Sequence, residues 1–482
     1  MKKSILLILL IVCSISIYAT SITKSEKLLF NTMLAKVELD TTALNFPKNW
    51  GKSDFKMKII HDILEEPFLF STFIDSLKNK ILIDNYFDYF VKTVFDSDSL
   101  DFVYKIDQNY LNYLDKLVEN ISKPDDYFQY IDFVAFSSIV HHQNAFEEIN
   151  QSELKIISDF VVSLRDENEE KYEKLLKEFN ENEDLEIEDI IDMIKKIDMQ
   201  SLIISGIIYK SGIDKLTKVE FDFLSDQNDL LEFQSVFGTY AIGTPQTDFY
   251  QKKYSFIYDV DGDDIYRGEI NTDYFQPFYS VIDKSGNDIY QSDSFGQLFS
   301  TFFGCGISYD FAGNDYYYGD DFMFSANFGI NIHKDFDGKD QYIAKKHSLA
   351  AATFGISIIE DKSGNDYYSV TEYGQGFAGP FSVGAIIDFD GNDNYFAGGE
   401  FLHKPLAPFD HRSLSQGCSF GIRPDIAGGI GIIFDEKGND NFNGGVFSQA
   451  VGYWYGLGII INLEGNDSYH SVYYPQGSGI HL

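Results

Sequence analysis

A short motif with two aspartate positions recurs eight times in the second half of the chain, and only the last copy has Asn, Asn462, at the first of them. The motif reads Asp, two variable residues, Gly, usually Asn, then Asp, one variable residue and an aromatic residue. The first Asp column consists of Asp259, Asp283, Asp310, Asp335, Asp361, Asp388 and Asp435, and the second Asp column consists of Asp264, Asp288, Asp315, Asp340, Asp366, Asp393, Asp440 and Asp467. Asp261 adds a further carboxylate to the first copy. Ca²⁺ takes about six to eight oxygen ligands, so these aspartates are candidate calcium ligands.

Two interpretations of these columns stay open. If the copies stack as coils about 4.8 Å apart, neighbouring carboxylates repel by roughly 1 kcal/mol in water and about 3.5 kcal/mol at an effective dielectric constant near 20. A buried column would then need cations between the coils. Alternatively, the Asp and Asn side chains only cap the turn by accepting backbone N–H bonds, while the motif Gly supplies a positive φ.

The motif glycines define a repeat with a regular period. They are evenly spaced except for one long interval between the sixth and the seventh: Gly262, Gly286, Gly313, Gly338, Gly364, Gly391, Gly438 and Gly465. Before each turn, small and apolar residues alternate, as at Ile356 and Ile358, which predicts a β-strand with one buried face. A Gln follows the motif aromatic at a constant distance in four copies, at Gln297, Gln375, Gln449 and Gln476.

These patterns predict an α + β protein of two domains. Helical apolar spacing and sparse Gly indicate an α-helical domain over residues 20–235, and the repeats indicate a β domain over residues 236–482. We favour a β-solenoid of about eight to nine coils, each of about 26 residues. The alternative is an antiparallel β meander or an outer-membrane barrel with one hairpin per repeat, although charges such as Lys334 and Glu360 interrupt the apolar band that a barrel would show to lipid.

The long interval between Gly391 and Gly438 contains an insertion at about residues 397–425. Insertions in repeat proteins emerge as loops on one face, which is often the binding face. This insertion concentrates basic residues in an acidic region, so we take His403, Lys404, Asp410, His411 and Arg412 as ligand-binding candidates. An ordinary surface loop with salt bridges is the alternative, and no spacing here identifies a catalytic residue.

The repeat resembles a type found in secreted bacterial proteins, in which Gly-Asn-Asp-any-Tyr or Gly-Asp-Asp-any-Tyr recurs through a Gly-rich β region. The resemblance covers residues 240–482 and implies no established activity. A more distant similarity links Gly313, Asn314, Asp315 and Tyr317 to the calcium-binding β-rolls built from Gly- and Asp-rich nonapeptides. The period of this chain is much longer than that of the β-rolls, which repeat every nine or eighteen positions.

The N-terminus predicts export. Lys2 and Lys3 precede an apolar run from Ile5 to Val12, and Ala19 suits signal-peptidase cleavage, so residues 1–19 read as a signal peptide. A secreted, periplasmic or cell-surface location follows. No later segment is apolar enough to span a membrane as a helix.

The two cysteines that follow the predicted signal peptide are Cys305 and Cys418. They fall in distant copies of the repeat, and a disulfide needs its two Cα atoms within about 7 Å. We therefore predict that they do not form a disulfide with each other.

The charge of the chain limits its partners. With 38 Lys and Arg against 75 Asp and Glu, the formal net charge is -37, which disfavours nucleic acid. A cell-surface glycan or protein is the expected partner, and exposed aromatics near Trp454 or Tyr473 are candidates for sugar binding. We therefore predict a non-enzymatic binding or structural scaffold that takes up Ca²⁺ as a cofactor. The alternative is an extracellular carbohydrate-active enzyme with its site in the insertion.

Overall fold

The computed structural model of the chain describes residues 24–40, 53–95, 108–164, 185–218, 228–404 and 407–480. The predicted signal peptide lies outside these residues. The described residues form two compact units: residues 24–40 with 57–95, and residues 53–56 with 108–480.

Helices occupy the described part of the chain up to Leu216. The first unit holds α1 (Lys24–Ala35), α2 (Lys58–Glu65), α3 (Leu69–Leu82) and α4 (Tyr86–Phe95). The second unit holds α5 (Gln108–Glu119), α6 (Pro124–Ala145), α7 (Gln151–Ser163), α8 (Ile187–Lys195) and α9 (Met199–Leu216). Among these described residues, no helix is long and apolar enough to cross a membrane.

From Leu231 onward the second unit is built of strands that form two large sheets. An 11-stranded sheet contains β1 (Leu231–Ser235), β2 (Gly238–Ile242), β4 (Phe256–Asp259), β6 (Ile270–Asn271), β7 (Phe278–Asp283), β9 (Leu298–Asp310), β11 (Ser325–Asp335), β13 (Ala351–Asp361), β15 (Val383–Asp388), β20 (Ile430–Gly438) and β24 (Leu457–Gly465). A 9-stranded sheet contains β3 (Phe249–Tyr250), β5 (Ile265–Tyr266), β8 (Ile289–Gln291), β10 (Tyr316–Tyr318), β12 (Gln341–Ile343), β14 (Tyr367–Val370), β16 (Asn394–Ala397), β21 (Asn441–Gly444) and β25 (Ser468–His470).

Two three-stranded sheets complete the β region. One contains β17 (Leu402–His403), β18 (Ala407–Ser415) and β22 (Val446–Ser448), and the other contains β19 (Ser419–Phe420), β23 (Gly452–Tyr453) and β26 (Gly479–Ile480).

The pairing of the strands confirms the β-solenoid and not the antiparallel alternative. In the two large sheets each strand pairs in parallel with the equivalent strand of the next copy, and only the opening pair β1 and β2 is antiparallel. The register matches motif to motif, so that Asp335 lies opposite Asp310 on one side and Asp361 on the other. The solenoid has about eight turns.

The motif aromatics form one continuous stack inside the solenoid. Neighbouring rings have centroids 4.1 to 5.0 Å apart and are inclined by no more than 13°: Tyr250, Tyr266, Tyr290, Tyr317, Tyr342, Tyr368, Tyr395, Phe442 and Tyr469. Offset aromatic pairs contribute about 0.5 to 1.5 kcal/mol each beyond burial of area. The stack therefore favours a single register between coils.

Helices of the second unit pack on the outside of the 11-stranded sheet. Tyr209 of α9 stacks on Phe278 with ring centroids 4.7 Å apart, and its hydroxyl lies 3.0 Å from Ser280 Oγ. The Nε2 atom of His142, in α6, lies 2.7 Å from the carbonyl oxygen of Phe303. These contacts bury the outer face of β7 and β9 under helices. The motif turns that carry the Asp columns lie at the ends of these strands and not on the face that the helices cover.

The motif glycines are required mainly because neighbouring coils approach closely. Only Gly262, Gly286 and Gly465 among them have a positive φ, so the predicted conformational role is wrong for the other five. A Cβ on Gly313 would lie 2.0 Å from the carbonyl oxygen of Gly286 and 2.6 Å from Asp315 Oδ2. There is no room for a side chain at this point of the turn.

The same restriction predicts the effect of a substitution in β11. A Cβ on Gly329 would lie 2.0 Å from the carbonyl oxygen of Gly304 in the preceding coil. We expect Gly329→Ala to lower the free energy of unfolding by about 3 kcal/mol, because backbone would have to move. Chemical denaturation measures this. The control is Gly296→Asn, because Asn tolerates the φ of 64° there and the nearest atom is 3.8 Å away. Equal stability of the two variants would contradict the close packing.

Both described cysteines are free and buried, which confirms the prediction that they are not bridged. Cys305 pairs with Ile330 in the column that continues through Ile356, Val383 and Ile430. Burial raises the pKa of the Cys418 thiol to about 12, so this group stays protonated at neutral pH.

The insertion leaves both large sheets intact. Across it, β15 pairs with β20 and β16 pairs with β21 in unbroken register. Gln416, inside the predicted insertion, joins the Gln column: its Nε2 donates to the carbonyl oxygens of Tyr395 and Asn443, as Gln375 donates to Tyr368 and Phe396. Part of the predicted insertion, around Gln416, therefore belongs to the regular coil, and the additional residues lie before and after that part.

Candidate metal centre

The two Asp columns run side by side along one edge of the solenoid. All members of the first column, and all of the second except Asp467, are at most 2% exposed. Parallel pairing aligns the first column from Asp259 to Asp435, and Asn462 takes the equivalent place in the last coil. The fold thus places fourteen aspartates, seven in each column, in a buried double row.

One oxygen of each carboxylate in the second column links successive coils. Its Oδ1 accepts the backbone N–H of the equivalent Asp one coil earlier, at 2.5 to 3.1 Å, and the donors are Asp248, Asp264, Asp288, Asp315, Asp340, Asp366, Asp393 and Asp440. The turn-capping interpretation is correct for this oxygen. The bond caps the neighbouring coil and not the residue's own turn.

One oxygen of most carboxylates in the first column accepts a tyrosine hydroxyl from the aromatic stack. Tyr317 donates to Asp310 Oδ2 and Tyr342 donates to Asp335 Oδ2, each at 2.7 Å. The remaining Tyr–Asp bonds of this kind include those from Tyr290 to Asp283 Oδ2 at 2.7 Å and from Tyr395 to Asp388 Oδ2 at 3.2 Å. The tyrosine hydroxyls at the edge of the stack therefore fix the orientation of the carboxylates in the first Asp column.

Most of the other carboxylate oxygens have no hydrogen-bond donor among the described residues. The exceptions in the first column are Asp259 Oδ1 and Asp361 Oδ1, which accept the backbone N–H groups of Asp261 and Ser363 at 3.2 Å. Among the described residues, the following buried oxygens have no hydrogen-bond partner: Oδ2 of Asp264, Asp288, Asp315, Asp340, Asp366, Asp393 and Asp440, Oδ1 of Asp283, Asp310, Asp335 and Asp388, and both oxygens of Asp435. Burying a carboxylate oxygen without a partner is unfavourable by several kcal/mol. Capping alone leaves this whole set unexplained.

Carboxylates of the double row, together with Asp248, gather into five groups of three. Within each group one oxygen from every residue lies within 4.8 Å of the others: Asp248, Asp259 and Asp264; Asp310, Asp315 and Asp335; Asp335, Asp340 and Asp361; Asp366, Asp388 and Asp393; and Asp393, Asp435 and Asp440. Each group spans two neighbouring coils. Its donor set is all oxygen and carries up to three negative charges, which suits a hard divalent cation.

Burial raises the pKa values of the fourteen buried carboxyl groups in the two Asp columns, and neighbouring carboxylates raise several of them further. Desolvation followed by the charge of Asp335 raises the pKa of Asp340 to about 9, and desolvation followed by that of Asp440 raises the pKa of Asp435 to about 9. Desolvation raises the pKa of Asp366 to about 6, although the backbone N–H bond that it accepts opposes the shift. Without a counterion, the row holds protons at neutral pH.

One coil departs from the pattern at the aromatic position. Phe442 continues the stack but has no hydroxyl, so Asp435 lacks the tyrosine donor that the other coils supply. Both of its oxygens are buried and without a hydrogen-bond partner in the described part of the chain. Asp435 is therefore the carboxylate in the row with most capacity for a cation.

Some predicted ligands lie outside the five groups. Asp261 is exposed and accepts a hydrogen bond from Ser285 Oγ at 2.8 Å. Asp467 is partly exposed in the last described coil, and Asp283 and Asp288 belong to none of the groups.

One member of the groups was not among the predicted ligands. Asp248 joins Asp259 and Asp264 in the first group. The degenerate opening copy of the repeat retains Asp248 together with Tyr250 but lacks the motif glycine. The retained pair was the signal that could have identified it.

The candidates in the insertion are placed on the hairpin of β17 and β18. His403 is buried edge-on against Phe447, with ring centroids 5.3 Å apart, and Lys404 is exposed. Asp410 and His411 are partly exposed on β18. None of these four is in one of the five carboxylate groups.

Arg412, the fifth candidate in the insertion, takes part in a buried ion-pair network. It donates from Nε and Nη2 to the two carboxylate oxygens of Glu372, at 2.7 and 3.2 Å. Glu372 is fully buried, and Lys346 Nζ lies 3.3 Å from it as well. The network ties the hairpin to the preceding coil. Whether the insertion binds a ligand stays a prediction.

No protein-family model, no curated protein and no solved structure matches this chain. The resemblance to Gly-Asn-Asp-any-Tyr repeats therefore stays a prediction, and the function is argued from the geometry.

Proposed function

We propose that the protein is an exported, non-enzymatic scaffold whose β-solenoid is held together by Ca²⁺ bound between its coils. The observation that carries the proposal is the buried double row of aspartates, many of whose oxygens have no hydrogen-bond partner among the described residues. A cation in each group would offset both the lost hydration and the repulsion between carboxylates.

The donor chemistry favours Ca²⁺ over other divalent ions. The five groups contain only carboxylates, without the His or Cys that zinc and the later transition metals prefer. Mg²⁺ demands a near-ideal octahedron and usually keeps several waters. In these groups the backbone register of two coils sets the carboxylate positions, and Ca²⁺ accepts such irregular oxygen sets more readily.

The burial of the groups favours a structural role for the ions over a catalytic one. A catalytic metal keeps an open position for substrate. Apart from Asp248, by contrast, the aspartates of the five groups are at most 2% exposed. Ions bound there would tie coil to coil. We further propose that the outer surface of this scaffold carries the contact with a cell-surface glycan or protein.

The predicted export of the protein supports the choice of Ca²⁺, because an exported protein can bind the ion outside the cell. The basic and apolar segment at residues 2–12 favours secretion, and extracellular calcium modules commonly bind in the range of about 10⁻⁴ to 10⁻³ M. Sites of that strength would fill outside the cell.

The direct test compares Asp340→Asn with Asp261→Asn. An Asn at position 340 can still accept the backbone N–H of Asp315 through its amide oxygen, but it removes the charge and one free oxygen from a group. We expect Asp340→Asn to lose about 2.7 kcal/mol of calcium-dependent stability at a calcium concentration about 100 times the dissociation constant. The expected fall in melting temperature is about 5 to 10 °C.

Asp261→Asn is the matched control, because Asp261 is exposed and outside the groups. Its melting temperature in calcium should equal that of the parent protein. If Asp340→Asn is neutral or stabilising in calcium, the capping interpretation is sufficient and the calcium proposal is wrong.

A further inference from the structure

Two of the carboxylates belong to two groups at once. Asp335 lies in the group with Asp310 and Asp315 and also in the group with Asp340 and Asp361. In the same way, Asp393 is common to two groups, whose other members are Asp366, Asp388, Asp435 and Asp440. The group of Asp248, Asp259 and Asp264 shares no residue with another.

From this sharing we propose that the row contains two binuclear calcium centres, bridged by Asp335 and by Asp393, and one mononuclear site. The inference rests on the proposed function, because it assigns the arrangement of the same ions. A carboxylate has two oxygens with about four lone-pair directions and can serve two cations.

The centre bridged by Asp393 has the stronger support. Six buried oxygens there have no hydrogen-bond partner among the described residues: Oδ2 of Asp366, Asp393 and Asp440, Oδ1 of Asp388, and both oxygens of Asp435. All five residues are at most 2% exposed. Five carboxylates carry five negative charges, which two divalent ions nearly balance, whereas one ion would leave three charges buried.

The bridge makes the two ions of a centre interdependent. Asp393 Oδ1 already accepts the backbone N–H of Asp366 at 2.7 Å in the chain of inter-coil bonds, so a cation also fixes the position of the coil before it. An ion bound on one side of Asp393 orients the carboxylate for the other side. Removing the bridge therefore removes both ions, whereas removing a terminal ligand removes one ion and weakens the binding of the other.

The experiment counts bound Ca²⁺ per folded chain for the full-length protein, Asp393→Asn and Asp388→Asn. Equilibrium dialysis against calcium alone gives the count, and far-ultraviolet circular dichroism checks that each variant is folded. We expect Asp388→Asn to bind one ion fewer than the parent protein and Asp393→Asn to bind two fewer. Asp388 is the matched control, because it is equally buried and lies in one group only.

A second variant keeps every carboxylate and avoids a loss of folding. Phe442→Tyr would add a hydroxyl that donates to Asp435, as Tyr395 donates to Asp388. We expect both ions of this centre to bind about five- to tenfold more weakly, because one competing hydrogen bond contributes about 1 kcal/mol.

The outcomes separate the two ideas. A parent protein that binds no calcium overturns the proposed function and this inference together. If the parent protein binds calcium but Asp393→Asn and Asp388→Asn each lose one ion, or if Phe442→Tyr weakens a single ion, the sites are independent. The binuclear arrangement is then wrong and the proposed function stands.

Discussion

Removal of calcium is expected to lower the melting temperature of the full-length protein by more than about 10 °C. An ion that binds only the folded state stabilises it by about 2.7 kcal/mol when its concentration is about 100 times the dissociation constant. Each of the five groups spans two coils, so the contributions fall on the same cooperative structure. For a domain of this size the melting temperature changes by about 2 to 4 °C for each kcal/mol of stability. Two filled groups are therefore enough to produce the expected shift.

The measurement is a thermal scan in excess chelator and in excess Ca²⁺ at one ionic strength. Mg²⁺ at the same concentration is the control for general screening of a chain with a formal charge of -37. Equal melting temperatures in chelator and in calcium would refute the calcium row. Equal recovery with Mg²⁺ and Ca²⁺ would show that charge screening alone is responsible.

The metal-free protein is expected to lose stability as the pH rises from about 4 to 10. Burial raises the pKa of Asp366 to about 6, Asp315 to about 8 and Asp288 to about 10 in the folded chain. An unfolded Asp titrates near a pKa of about 3.9. Between the unfolded pKa and the folded pKa of each group, the folded state therefore binds more protons than the unfolded state. Over that interval the free energy of unfolding falls as the pH rises.

The slope follows from proton linkage at about 1.4 kcal/mol per pH unit for each proton by which the two states differ. Chemical denaturation in chelator at several pH values measures it. Saturating calcium is the control, because bound ions replace the protons and should flatten the dependence while leaving the overall charge repulsion. A metal-free stability that is constant or rises over this pH range would mean that the row is ionised and stable without cations.

The repeat made most of the solenoid predictable. Its regular period determines which residues align, so the column through Cys305 and Ile356 and the pairing of Asp335 with Asp361 follow from spacing alone. Periodicity works here because a parallel coil places identical positions beside each other. The helices were predictable as a class from their apolar spacing, but their packing on the solenoid depends on contacts such as that of Tyr209 with the outer face of β7.

The chemistry of the candidate site was only partly predictable. Spacing identified the two Asp columns, but it could not show how the two oxygens of each buried Asp in the second column are used. One oxygen caps the neighbouring coil, and the other has no donor among the described residues. That division depends on side-chain orientation between coils. Asp248 was missed as a ligand because its copy lacks the motif glycine, and Gln416 was missed because the insertion displaces it from the expected spacing.

The tyrosine stack gives this molecule an optical signal of its own. Its rings lie 4.1 to 5.0 Å apart in a nearly parallel array, a spacing at which neighbouring chromophores couple electronically. Several of their hydroxyls donate to the same carboxylates that face the candidate cation groups. Filling or emptying a group would therefore perturb the absorbance, the near-ultraviolet dichroism and the fluorescence of the phenols. A single sample, without label or added dye, would report occupancy and coil order together.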